Sequence, residues 1–190
     1  MTTDPDRTAW AEALTLYERR YTFVAVGPRE HPEWGLDLAS LVRGTTRDPR
    51  AWRSLDPDQD EEERQDDAAF PFVAPPTTEP EIKSWRAHLT EVPRGSAKRL
   101  LVVLGTQYLD VTREREFDHR RPEMEGKADV LLSRFPVESR FYANTGYEGA
   151  NPDFYQAVTG VHTFSQYDWD VGLVIVSESE VGLFWSFDAT

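Results

Sequence analysis

Residues 170–188 read DVGLVIVSESEVGLFWSFD. Apolar and β-branched residues fill both halves, and the polar Ser177-Glu178-Ser179-Glu180 separates them. That is the pattern of two strands closing a hairpin around Glu178 to Glu180. In the second half the two-residue alternation puts Val181, Leu183 and Trp185 on one face, while Phe184 and Phe187 break a clean period. Strands apolar on both sides need cover on both faces, so helices on one and loops on the other are expected.

Working outward, VHTFSQYDW just upstream reads as a third strand. NPDFYQAVTG before it carries Asn151 as a cap, Pro152 in the first turn and Gly160 as a stop, and predicts a short helix. ADVLLSRFPVESRFYANTG holds two strand candidates joined near Pro136. TREREFDHRRPEMEGK (residues 112–127) is almost all polar and reads as an exposed loop or short helix. KRLLVVLGTQYLDV contains the apolar run Leu100 to Leu104, bounded by Gly105, which reads as a buried central strand.

TTEPEIKSWRAHLTEV has Thr78 as N-cap, Pro80 in the first turn, and Ile82, Trp85, Leu89 and Val92 along one helical face. At the N-terminus, Asp4, Pro5 and Asp6 mark a helix start, and Trp10, Leu14, Tyr17 and Tyr21 recur at helical spacing. YTFVAVG predicts a short strand, and PEWGLDLASLVRG a short helix between Gly35 and Gly44. The expectation is a single α+β domain over residues 1–190. N-terminal helices pack on a curved, mostly antiparallel sheet of five or six strands that ends in a C-terminal β-hairpin.

Residues 48–80 differ in character. They hold the acidic run DPDQDEEERQDD (56–67), with eight carboxylates in twelve positions and Arg64 as the only base. FPFVAPPTTEP follows, and four of the thirteen prolines fall in residues 71–80. Proline lacks an amide donor and biases its predecessor away from helix. The segment is expected to be a long surface excursion, partly disordered, with Phe70, Phe72 and Val73 pinning its far end.

Composition narrows the function. The 190 residues are 39% hydrophobic with six Trp, enough for a core. The formal net charge of −13, from 34 acids and 21 bases, argues against phosphate-backbone recognition and anionic membrane surfaces. It favours a basic partner. With no cysteine, thiolate catalysis, thiolate metal sites and disulfides are excluded. The polar start MTTDPDRTAWAEAL has no apolar signal-peptide core, so a cytoplasmic protein is expected. Arg outnumbers Lys 18 to 3, which suggests a high-GC, bacterial coding genome.

No motif for catalysis stands out. His31, His88, His119 and His162 are never three or four residues apart. His119, beside Asp118 and near Glu114 and Glu116, sits in a charge-mixed segment that Arg113, Arg115, Arg120 and Arg121 balance. Glu125-Gly126-Lys127 has half of a nuclease metal motif, which needs a strand context. No catalytic residue, metal ligand or cofactor is assigned.

Two features remain as candidate contacts. One is the acidic run: Asp56, Asp58, Asp60, Glu61, Glu62, Glu63, Asp66 and Asp67. The other is Tyr167, Asp168, Trp169 and Asp170, where strand alternation points both aromatics one way and both carboxylates the other, as an exposed acidic pair. The first functional expectation is a non-catalytic interaction protein. In its sharpest form it is an immunity or inhibitor protein for a basic toxin or enzyme, monomeric or weakly self-associating. The alternatives are a small-molecule or enzymatic domain with a pocket inside the curved sheet, using Asp110, His119, His162 and Asp168, and a structural or assembly component.

Overall fold

The computed structural model describes residues 5–147, 149–158 and 160–188; Asp4 and Thr159, which belong to two of the expected helices, lie outside them. Five strands, Thr22–Pro28 (β1), Thr90–Val92 (β2), Arg140–Ala143 (β3), Trp169–Val176 (β4) and Glu180–Asp188 (β5), form one antiparallel sheet in the order β1-β5-β4-β3-β2. The sheet is open, and the chain is α+β. The β4–β5 hairpin turns where its polar residues place it, with Val176 opposite Val181 and Leu173 opposite Phe184. The Ser177 hydroxyl accepts the Glu180 N–H at 2.9 Å, which closes the turn.

Alternation along β5 sorts its side chains without exception. Val181, Leu183, Trp185 and Phe187 join one core with Phe23, Tyr142 and Val174, so Phe187 continues the series. Phe184 points into the other core with Val24, Phe141, Leu173 and Ile175. Each fully buried side chain of this size contributes about 1.5–3 kcal/mol.

Three helices cover the first face. Arg7–Ala13 (α1) starts where the Asp6 carboxylate accepts the Ala9 N–H at 2.7 Å, and it passes into a 3₁₀ turn at Leu14–Tyr17. Arg94–Leu104 (α5) follows Pro93 and ends at Gly105. Leu100 to Leu104 belong to this helix, which corrects the expected central strand. All five are 0% exposed, because the sheet lies on one side of α5 and other helices on the other. A short, wholly buried apolar run has no period to show, so a helix and a strand read alike.

Phe117–Ser133 (α6) takes the helical alternative for residues 112–127 and runs on through the first of two expected strands, which it replaces. Its exposed half is stitched by Arg121–Glu125 and Glu123–Lys127 pairs at 2.9 and 2.8 Å. Its buried stripe, Met124, Ala128, Leu131 and Leu132, becomes visible only across the two segments taken together.

The second face is covered by Trp34–Val42 (α2), by Glu79–Ala87 (α4), and by the aromatic residues Phe72 and Phe164. At the start of α4 the Glu81 carboxylate accepts the Thr77 and Thr78 N–H groups at 2.7 and 3.0 Å. Residues 151–158 form turns instead of the expected helix, and 161–168 contribute one bridge residue, Ser165, paired to Phe72, in place of a strand.

The segment 48–80 is anchored along its length. Leu55 bridges Val24 through two 2.9 Å hydrogen bonds. Phe70 and Phe72 are buried as expected, whereas Val73 stays 49% exposed and pins through its backbone, its N–H donating to the Phe164 carbonyl at 2.9 Å. A one-turn helix, Glu62–Asp66 (α3), lies within the acidic run and buries none of its residues.

Both sheet faces are filled. The gap left on the second face, lined by Phe72, Phe164, Val174 and Trp185 among others, measures about 10 Å³, at the lower limit for one water. Among the described residues, no helix is long and apolar enough to cross a membrane.

Candidate functional site: an acidic and aromatic surface

The acidic run and the Tyr167 segment meet in space. Tyr21, just before β1, connects them. Its hydroxyl donates to the Asp58 carboxylate, and its ring packs edge-on against Tyr167 at 5.8 Å. Both rings rest on Phe187, at 6.1 and 5.6 Å. These are aromatic contacts worth about 0.5–1.5 kcal/mol each beyond burial.

Arg64, the only base of the run, turns inward. It pairs with Asp56 at 2.9 Å, donates to the Phe70 carbonyl, and stands 5.9 Å from the Phe23 ring. The outward surface is therefore left to carboxylates. Asp60, Glu61, Glu62, Glu63, Asp66, Asp67 and Asp168 are exposed, and none forms an ion pair with another described residue. Tyr167 sits half-buried beside them. Burial pushes its hydroxyl pKa up, and Asp58, Glu61 and Glu63 add to the rise.

Two expected contacts are corrected. Asp58 is 0% exposed. Its Oδ2 has no hydrogen-bond partner among the described residues, and burial lifts its pKa to about 6 against the opposing pull of Arg64, with Glu61 and Glu63 raising it further. Asp58 supports the surface from beneath and does not present itself to a partner.

Asp170 is also fully buried. Its carboxylate accepts from the Trp185 indole at 2.9 Å, from the Ser165 N–H and hydroxyl at 2.9 and 2.5 Å, from the Phe164 N–H at 3.1 Å, and from the Asn144 amide at 3.1 Å. Burial raises its pKa and these hydrogen bonds oppose the rise. The expected exposed pair fails because β4 begins only at Trp169. Residues 166–168 bend, so Tyr167 packs on the second face, Trp169 on the first, and of the two carboxylates Asp168 is the exposed one.

The same network holds a relationship that spacing could not suggest. Asn144 bridges the His162 carbonyl and the Gly172 N–H, each at 2.9 Å. His162 then lies flat against His88, with ring centroids 3.6 Å apart and planes 2° from parallel. Burial lowers the His162 pKa, and His88 lowers it further. The two residues are 74 positions apart in the chain, and only the docking of the 162–166 loop against α4 brings them together.

The residues expected for a pocket inside the sheet lie apart. Asp110 accepts the Thr112 N–H and hydroxyl at 2.9 and 2.7 Å and caps a 3₁₀ turn. His119 is exposed in the first turn of α6, His162 stacks on His88, and Asp168 is on the acidic surface. Glu125 and Lys127 are on a helix, where Glu125 accepts from Tyr155 at 2.8 Å, so the strand context of a nuclease half-site is not met. Among the described residues, no group of three or more His, Asp or Glu is arranged to hold a metal ion.

Fold and site together define an open five-stranded α+β protein with an acidic surface edged by tyrosine. Family models, curated proteins and solved structures were all compared with the chain, and none matches it.

Proposed function

We propose that this chain is a non-catalytic acidic interaction protein, an immunity or inhibitor protein that binds and neutralises a basic toxin or enzyme in the cytoplasm. The observation that carries this reading is the meeting of the two segments. The exposed carboxylates of 60–67 and Asp168 share a surface with Tyr167, and the one base of the acidic run is turned inward. A surface of one sign speeds encounter with a partner of the other. A half-buried tyrosine beside it supplies an anchor of low conformational entropy.

The test is a pull-down from the native source at low and moderate salt, run in parallel with a variant carrying Asp60→Asn, Glu61→Gln, Glu62→Gln, Glu63→Gln, Asp66→Asn and Asp168→Asn. The expected result is one basic enzyme, released by salt, inhibited by the wild type, and bound at least tenfold more slowly by the variant. A partner captured equally by both proteins removes this surface from the interface. A captured enzyme that keeps full activity removes the inhibitor function.

A further inference from the structure

At the hairpin end of the sheet lies a second candidate site, which holds arginines. Arg29, Trp34, Ser139, Arg140 and Tyr142 line a cleft of about 350 Å³. It is at the far end of β5 from Tyr21 and Tyr167, so the two sites are independent.

Ser139 and Tyr142 are 9% and 6% exposed, and neither hydroxyl has a hydrogen-bond partner among the described residues. A buried unpaired hydroxyl costs about 1–3 kcal/mol, and two beside one cleft call for a cause. Arginines and glutamates both stand around them. Burial raises the Tyr142 hydroxyl pKa and Glu91 adds to the rise, while Arg140, Arg86 and Arg29 oppose it. Trp34 stacks on Tyr142 at 4.8 Å, with Arg86 over its other side at 4.9 Å.

Of the three guanidinium groups, Arg86 is paired with Glu33 and Arg140 with Glu91. Arg29 meets only carbonyl oxygens, of Ser177 at 3.0 Å and Pro32 at 3.3 Å, and forms no ion pair among the described residues. Two of its five donors are used there, and the rest remain for a ligand.

We propose that this cleft binds a small ligand through an oxyanion, a carboxylate or a phosphate group, held by Arg29 and by the hydroxyls of Ser139 and Tyr142. Access requires Arg140 to swing aside, since its guanidinium lies across the Tyr142 ring at 5.5 Å. Its pair with Glu91 is solvent-exposed on both sides, and such pairs hold weakly. Glu138 and Glu178 also line the cleft and disfavour a polyanion, so a ligand with a single oxyanion group is favoured.

The experiment is calorimetric titration of the full chain with sodium phosphate and, separately, sodium benzoate, at constant ionic strength. Saturable one-to-one binding of either probe is expected, and which probe binds identifies the oxyanion. Tyr142→Phe is expected to weaken binding at least tenfold while leaving the melting temperature of the free protein unchanged or higher, because it removes an unpaired hydroxyl. Ser139→Ala serves the same purpose should Tyr142→Phe fold poorly. No saturation by either probe at about 10 mM, well above the millimolar affinity of a few hydrogen bonds, overturns the proposal. So does a folded Tyr142→Phe or Ser139→Ala protein that binds as tightly as the wild type.

Discussion

The Trp185 indole occupies the space in which a Gly172 side chain would lie: a Cβ at position 172 would stand 1.9 Å from Trp185 Cε3. The two residues are direct partners across β4 and β5. The ring cannot retreat, since Asp170 holds its Nε1 at 2.9 Å and Phe164 packs on it at 5.5 Å. The absence of a side chain at 172 is what allows the second face to pack around a tryptophan.

Gly172→Ala is therefore expected to destabilise by about 1–3 kcal/mol, at the upper end of that range. Gly126→Ala is the control. Gly126 lies within α6, and a Cβ there meets nothing within 4 Å. The same substitution should stabilise by about 0.5–1 kcal/mol. Thermal melts of the two variants, moving in opposite directions, check the pair.

Arg134 is a second point where one side chain organises several elements. It is 0% exposed, donates to Asp48 at 2.7 and 2.8 Å and to Glu180 at 2.8 and 3.1 Å, and lies 4.9 Å from both the Trp10 and Trp52 rings. It thereby ties α6, β5 and the start of the 48–80 segment together. Arg134→Met would remove the two-pronged partner of Asp48 and leave Glu180 to Arg50 at 3.4 Å, a loss of about 3–5 kcal/mol. Chemical denaturation of the two proteins measures the loss.

These contacts explain which parts of the architecture the sequence displays. The hairpin, α2 and α4 are legible because each has a half-exposed face, a cap or a turn that shows its period. Leu100–Leu104 and Leu131–Leu132 are not, because complete burial erases periodicity. The acidic run is legible as a surface, yet Asp58 and Asp170 are not legible as interior residues. What admits them is a set of donors far away in sequence: Tyr21 for the first, Trp185 and Asn144 for the second. Composition places a carboxylate outside by default, and only tertiary partners override that. The oxyanion cleft is not legible in one segment, since Arg29 reaches it from the end of β1, and Ser139 and Tyr142 from the turn before β3 and from β3 itself.

Asp58 makes a pH-dependent prediction. Its pKa rises from 3.8 to about 6 on folding, chiefly through burial. Between those values the folded state binds more protons than the unfolded one, so stability from this group is complete below about pH 4 and is lost as pH rises through about 6. Asp58→Asn removes the titration. Relative to that variant, the wild type should gain stability on acidification from pH 7 to pH 5, by on the order of 1 kcal/mol. A melting-temperature difference between the two proteins that stays flat over this range would remove Asp58 as the titrating group.

The exposed acids yield a prediction that separates function from folding. Glu61, Glu62 and Glu63 are consecutive, Asp66 and Asp67 follow within a turn, and none makes an ion pair among the described residues. Like charges at this spacing repel by a few tenths of a kcal/mol each. Neutralising Asp60, Glu61, Glu62, Glu63 and Asp66 should therefore raise stability by on the order of 1 kcal/mol at low salt, and the gain should fade towards 1 M salt as screening removes the repulsion. Melts of wild type and variant across a salt series measure both. A stabilised variant that has lost its salt-dependent partner is the signature of a surface retained for recognition at the expense of the fold. A destabilised variant would mean instead that the carboxylates hold the 56–67 segment in place, and the recognition surface would have to be sought elsewhere on the molecule.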